Sequence, residues 1–211
     1  MAGTSIAYDF PTTLVNDLYT VQLPNELKRF NNSLLIRSEK FESYLSASAN
    51  YLSTSVWTSN GTTAGTIELK EFTQDRYVET NKNPIEVAGF TAYFTAFDIT
   101  NGRELWKTDG TSGGTVLVKD VDPGISSSYP YRLKNVGGTI FFEAFSGTKN
   151  QGIWKSNGTN TGTVSVKNFN TYSFNGSSDN LQIARPFLHF NNKFNFEASD
   201  GNSNRLWNLD P

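Results

Sequence analysis

Apolar and polar residues alternate along this chain in short runs, and the runs recur. At 34/36, 92/94, 140/142 and 194/196 the residues are Leu/Ile, Ala/Phe, Ile/Phe and Phe/Phe. The interleaved positions mix Leu35, Tyr93, Phe141 and Asn195 with Arg37, Thr95, Glu143 and Glu197. A period of two with one apolar face predicts β-strands whose flat side packs against a neighbour. Just before each run stands a turn-forming dipeptide: Asn31-Asn32, Gly89-Phe90, Gly137-Gly138 and Asn191-Asn192. Asn and Gly tolerate positive φ, which two-residue hairpins demand, and Gly-Phe is the weakest of the four signals.

The period of the whole pattern is about fifty residues. Trp57, Trp106, Trp154 and Trp207 are 49, 48 and 53 residues apart. The text around the first three recurs as VWTSNGTTAGTIELKEF (56–72), LWKTDGTSGGTVLVKDV (105–121) and IWKSNGTNTGTVSVKNF (153–169). A fourth copy starts at Leu206 and stops at Pro211. Each copy parses into four antiparallel strands, in the third copy at about 130–136, 139–145, 152–156 and 163–168. That is the signature of a propeller blade.

The expected fold is therefore all-β, a small β-propeller of four blades at about 27–72, 84–121, 130–169 and 184–211, in one domain over 1–211. The fourth copy lacks its last strand, and 12–17 (TTLVND) aligns with 115–120 (TVLVKD). The N-terminal strand is thus expected to pair beside Trp207 and close the ring, within one chain or by strand exchange. At equivalent strand positions the four tryptophans are expected to pack between blades. Two insertions, 40–52 and 170–182, read as long loops carrying Phe41, Tyr44, Tyr51, Tyr172 and Phe174, which are candidate interaction residues.

Composition removes several classes of function. Eighteen Lys+Arg against 20 Asp+Glu leave a net charge of −2, without the basic excess of a nucleic-acid surface. No cysteine is present, so disulfides and thiolate chemistry are out. Aromatic residues make up 14% of the chain, which suits short strands capped by large side chains. The N-terminus lacks a basic start and an apolar run, and no apolar stretch approaches the roughly 20 residues of a membrane span. The expectation is a chain made in the cytoplasm without a signal peptide, working at a virion or cell surface after release by lysis or a dedicated machine.

Candidate chemistry is sparse. His189 is the sole histidine and cannot by itself hold zinc. Glu143 and Glu197 occupy equivalent positions, as glycosidase carboxylates might require, but Arg37 and Thr95 stand at the matching places. An inward ring of ion pairs accounts for these four residues equally well. The DGT and NGT turns offer one carboxylate, Asp109, so turn capping explains them better than calcium does. No catalytic residue, metal or cofactor is expected.

The stretch Glu104-Leu105-Trp106-Lys107-Thr108-Asp109-Gly110-Thr111, followed by 114–120 and Asp122-Pro123-Gly124, resembles the bacterial ELWxxDGT repeat family. The copies at Trp57 and Trp154 carry Asn60 and Asn157 in place of the Asp, and the resemblance covers about 27–211. It implies a propeller-like fold in bacterial, often surface-associated proteins, and brings no catalytic residues. The functional expectation is a non-catalytic structural or interaction protein, a rigid component of a bacterial or phage assembly such as a virion decoration or tail protein. Its partners would be other protein subunits, not nucleic acid and not a membrane interior. The alternatives are a glycan-binding lectin and a propeller-scaffold glycoside hydrolase.

Overall fold

The computed structural model describes residues 9–10, 12–15, 18–44, 50–72, 84–147, 150–169, 188–191, 193–199 and 204–211. All regular structure among them is β, in four antiparallel sheets, and no helix is long and apolar enough to cross a membrane. The first sheet runs in the order β1 (Thr12–Val15), β2 (Leu18–Phe30), β3 (Ser33–Tyr44), β4 (Asn50–Ser59) and β5 (Thr66–Phe72). The second is β6 (Glu86–Ala88), β7 (Thr91–Asp98), β8 (Gly102–Thr108) and β9 (Val116–Lys119). The third is β10 (Tyr131–Val136), β11 (Thr139–Ser146), β12 (Asn150–Ser156) and β13 (Val164–Phe169). The fourth has three strands, β14 (Leu188–Phe190), β15 (Lys193–Ser199) and β16 (Asn204–Leu209).

The hairpin dipeptides work by backbone geometry. Asn31, Gly89, Gly137 and Asn191 all have φ between 51° and 60°. Gly137-Gly138 has positive φ at both residues, whereas Phe90 after Gly89 does not. A turn that needs positive φ only at its first residue accepts Phe at the second, which is why the weak Gly-Phe signal still makes a hairpin.

Register repeats too. In the first three sheets the ladder between the tryptophan strand and the last strand shifts beside the tryptophan, at Val56/Trp57, Leu105/Trp106 and Ile153/Trp154. Each shift leaves one extra residue on the last strand: Leu69, Val118 and Val166. A bulge of this kind re-aims a side chain, and these three pack into the interface with the next sheet.

The sheets stack in series through three apolar clusters. Phe30, Leu35, Val56, Leu69 and Phe72 of the first sheet meet Phe94 and Trp106 of the second. Tyr93, Leu105 and Val118 of the second meet Ile140, Phe142 and Trp154 of the third. Val136, Phe141 and Ile153 of the third meet Phe194 and Phe196 of the fourth. Burial of one such side chain contributes roughly 1.5–3 kcal/mol. The alternation in the sequence thus serves both faces of the inner sheets, even positions of β7 and β11 facing backward and odd ones forward.

Two expectations are corrected. Residues 12–15 do not complete the fourth sheet. They pair with β2, from Thr12 opposite Val21 to Val15 opposite Leu18, and no described strand joins β16 on its outer side. The four sheets are therefore not closed into a ring by the N-terminal strand. Only Asn16 and Asp17 separate β1 from β2, so a local hairpin forms at far lower loop-closure cost than a strand from the other end of the chain. The second correction concerns 40–52. The described residues of this segment, 40–44 and 50–52, are strand, since β3 continues to Tyr44, β4 starts at Asn50, and Phe41 stands opposite Tyr51. The N-terminal half of β2 supplies the matching partner, with Val21 opposite Phe41 and a register shift at Pro24/Glu26. A proline, which cannot donate to the ladder, is placed at the irregularity.

Candidate interaction site

The repeat signature is a hydrogen-bonded turn. In the second sheet Asp109 Oδ1 accepts from Thr111 N at 2.9 Å and Thr111 Oγ1 at 2.7 Å. Thr111 Oγ1 in turn accepts from Gly114 N at 3.0 Å, and Thr108 and Thr115 share a hydroxyl hydrogen bond of 2.8 Å. Asn60 and Asn157 do the same with Thr62 and Thr159. Gly110 has φ +91°, and a Cβ on Gly114 would fall 2.0 Å from Asp109 Oδ1. Asp109, Thr111 and the Thr108–Thr115 pair hold the turn, and the hydrogen bonds from Thr111 keep the Asp109 carboxyl below its usual range.

The turns of the second and third sheets seat on the preceding sheet. A Cβ at Gly110 would stand 3.2 Å from Phe30, and one at Gly158 would meet the Tyr93 hydroxyl at 2.4 Å. Lys107 Nζ also donates to Gly158 O at 2.7 Å. The tryptophans face the same way. Trp106 meets Phe72 of the first sheet edge-on at 4.9 Å, with Lys70 Nζ 5.2 Å from its ring. Trp154 lies in the cluster between second and third sheets, and half-buried Trp207 packs against the third, under Lys167 Nζ at 4.7 Å. Trp57 has no preceding sheet; Phe10 meets it edge-on instead, and its indole N–H donates to Ser38 Oγ at 2.9 Å.

The acidic residues have structural partners. Buried Glu143 accepts from Arg132 Nη1 at 2.9 Å and Gln151 Nε2 at 3.0 Å, and Gln151 also bonds Tyr131. Burial pushes its carboxyl up, and the bonds from Tyr131 and Arg132 act against that rise. Arg37, at the matching place in the first sheet, pairs with Glu26 at 3.0 Å. Thr95 Oγ1 donates to Pro130 O at 2.8 Å. These partners lie on the inner strands or the segments entering them, so position 143 and its equivalents build separate contacts, not one ring of ion pairs. Glu197 is half-buried on the fourth sheet. Glu104, also buried, accepts from Ser128 N at 2.9 Å, Ser128 Oγ at 2.5 Å and Val121 N at 3.2 Å, pinning the segment between second and third sheets. Burial raises its carboxyl to about 7.

Strands β2, β6 and β10 of three different sheets meet at Glu86. Lys28 of β2 and Lys134 of β10 lie 3.8 and 3.4 Å from its carboxylate, which also accepts from Asn135 N at 3.0 Å. Among the described residues no group of three or more acidic, His or Cys side chains is placed to hold a metal ion.

The ends of the series differ from its middle. On the forward face of the fourth sheet, Leu188, Phe190 and Leu206 are 57%, 68% and 76% exposed. The residues matching Phe190 and Leu206 in the first sheet, Phe30 and Val56, are 2% and 0% exposed. Asn195 stands where Leu35, Tyr93 and Phe141 are buried, and its amide donates to the carbonyls of Leu188, Phe190 and Lys193. At the opposite end, the first sheet bears a groove of about 440 Å³ lined by Arg29, Asn31, Leu34, Ser59, Asn60 and Gly61.

Of the loop aromatics expected from sequence, Phe41 is half-buried within β3, while Tyr44 and Tyr51 lie in β3 and β4. Tyr172 and Phe174 lie outside the described residues, as does the His189 side chain, whose backbone is in β14. Sequence reasoning missed Phe10, Phe190 and Leu206. The last two were visible as apolar residues at positions the alignment assigns to an interface.

The class of protein defined here is an all-β array of four serially packed antiparallel sheets. No family model matches the sequence, and neither curated proteins nor solved structures include a match.

Proposed function

We propose that this chain is a non-catalytic structural and interaction protein, an array of propeller-type blades serving in a bacterial or phage assembly. The observation that carries the reading is the forward face of the fourth sheet, where Leu188, Phe190 and Leu206 stand in solvent. Exposed large apolar side chains gathered on one sheet face favour a protein contact. The blade reading draws support from the serial stacking and from the meeting of β2, β6 and β10 around Glu86. Closure by residues 12–17 has no such support, because 12–15 pair locally with β2. A virion decoration or tail component, joined to other protein subunits, fits a rigid framework of this kind.

The hydrolase alternative loses ground because Glu143 is engaged by Arg132 and Gln151. The lectin alternative loses ground because Phe41 lies half-buried in a strand. The test is co-sedimentation of the purified chain with virions and envelope fragments from the producing cells. Binding that is lost in Leu206→Asp supports the reading. Absence of binding together with turnover of a glycan substrate, lost in Glu143→Gln, overturns it.

A further inference from the structure

The two ends of the series carry the two halves of one contact. Between first and second sheets, Phe30 is the knob: it lies against the turn at Gly110, in one cluster with Ala92 of β7. Gly110 and Ala92 of the second sheet stand beside it, and Thr108 and Asp109 precede Gly110 in the same turn. By repeat position Ala92, Thr108, Asp109 and Gly110 match Leu34, Ser59, Asn60 and Gly61 of the first sheet, all of which line the 440 Å³ groove. Nothing lies within 4 Å of where a Cβ on Gly61 would point, and Leu34 is 39% exposed. The groove is thus the same seat, left empty. The knob is also duplicated. Phe190 ends β14 as Phe30 ends β2, next to the same kind of turn, Asn191 matching Asn31 in both identity and positive φ.

The geometry points to head-to-tail self-association, in which Phe190 of one copy enters the groove beside Gly61 of a second copy. The contact continues, from chain to chain, the stacking that already joins first to second, second to third and third to fourth sheets within the chain. Leu206 then lies against the first sheet of the second copy, as Val56 lies against the second sheet here. A contact between two different surfaces is heterologous, so repetition yields a closed ring of copies or a filament. The inference rests on the reading of the chain as an interaction protein and names its partner as a second copy of itself.

Light scattering after size exclusion, over a hundredfold range of concentration, tests it with Phe190→Asp and Leu34→Arg. Both residues are exposed, and unchanged circular dichroism and thermal melts establish that the variants fold; Phe190→Ser and Leu34→Ser are the gentler pair. Wild type is expected to rise above the 23.4 kDa of one chain as concentration increases, and each variant to remain at that mass. An equimolar mixture of the two variants is expected to form a complex of two chains, since one keeps its knob and the other its groove. Wild type that stays monomeric throughout, or a mixture that forms no complex, overturns the inference. Either result leaves the co-sedimentation test of the broader reading undisturbed.

Discussion

The Phe10 ring meets the Trp57 indole edge-on, with centroids 5.4 Å apart and planes at 82°. Phe72 meets Trp106 in the same manner at 4.9 Å and 78°. One ring comes from the preceding sheet and the other from the segment leading into β1, so the first sheet receives from its own N-terminal arm what the second receives from a neighbour. Loss of the half-buried Phe10 ring in Phe10→Ala should destabilise the fold by about 1–3 kcal/mol, below the cost of emptying a sealed core. Urea unfolding measures the loss, and Trp57 emission should shift to longer wavelength as water reaches it.

The turn signature makes a paired prediction. Gly114→Ala places a Cβ 2.0 Å from Asp109 Oδ1 and should cost on the order of 2 kcal/mol or more through displacement of the turn. Asp109→Asn should be tolerated within about 0.5 kcal/mol, because Asn60 and Asn157 make the same hydrogen bonds to Thr62 and Thr159. Thermal melts of the two variants, side by side, separate geometry from charge.

Glu104 gives stability a dependence on pH. Its carboxyl is raised from the usual 4.5 to about 7 by burial, so the folded chain holds the proton more tightly than the unfolded chain does. Below pH 4.5 both states are protonated and this contribution is at its most favourable. As pH climbs towards 7 the unfolded chain ionises first, and stability should fall by up to about 3 kcal/mol. Denaturation midpoints between pH 4.5 and 7 should show this slope in wild type and lose it in Glu104→Gln.

Glu26 and Arg132 occupy matching places on β2 and β10, and their partners Arg37 and Glu143 match on β3 and β11. The same ion pair therefore occurs twice with its charges exchanged. Glu143→Ala, which removes the buried acceptor shared by Arg132 and Gln151, should cost about 1–3 kcal/mol. The double exchange Arg132→Glu with Glu143→Arg copies the first sheet and should recover part of that loss in a double-mutant cycle.

Much of this architecture was legible in the chain. Period-two alternation, Asn/Gly dipeptides and the tryptophan spacing placed the strands of the third sheet within two residues of where they lie. What escaped depended on competition between partners. The likeness of 12–17 to 115–120 spoke for a strand of the same shape, but likeness says nothing of which edge it joins, and a two-residue connection to β2 decided that. Residues 40–52 read as a loop because they are an insertion relative to the other copies. Their strand character comes from pairing with 18–24, a segment ahead of the aligned repeat. Glu26 lay ahead of it as well, which hid the exchanged ion pair. The hydroxyls and amides of the motif read as turn caps, and their geometry bonds them within their own turns.

The pairing of Thr13 with Thr20, and not with the strand beside Trp207, distinguishes an open series of sheets from a closed ring. Because the chain has no cysteine, introduced pairs report without interference. In the monomer fraction, oxidised Thr13→Cys/Thr20→Cys should cross-link within the chain and Thr13→Cys/Asn208→Cys should not. An intramolecular 13–208 disulfide forming as fast as the 13–20 disulfide would contradict the open arrangement.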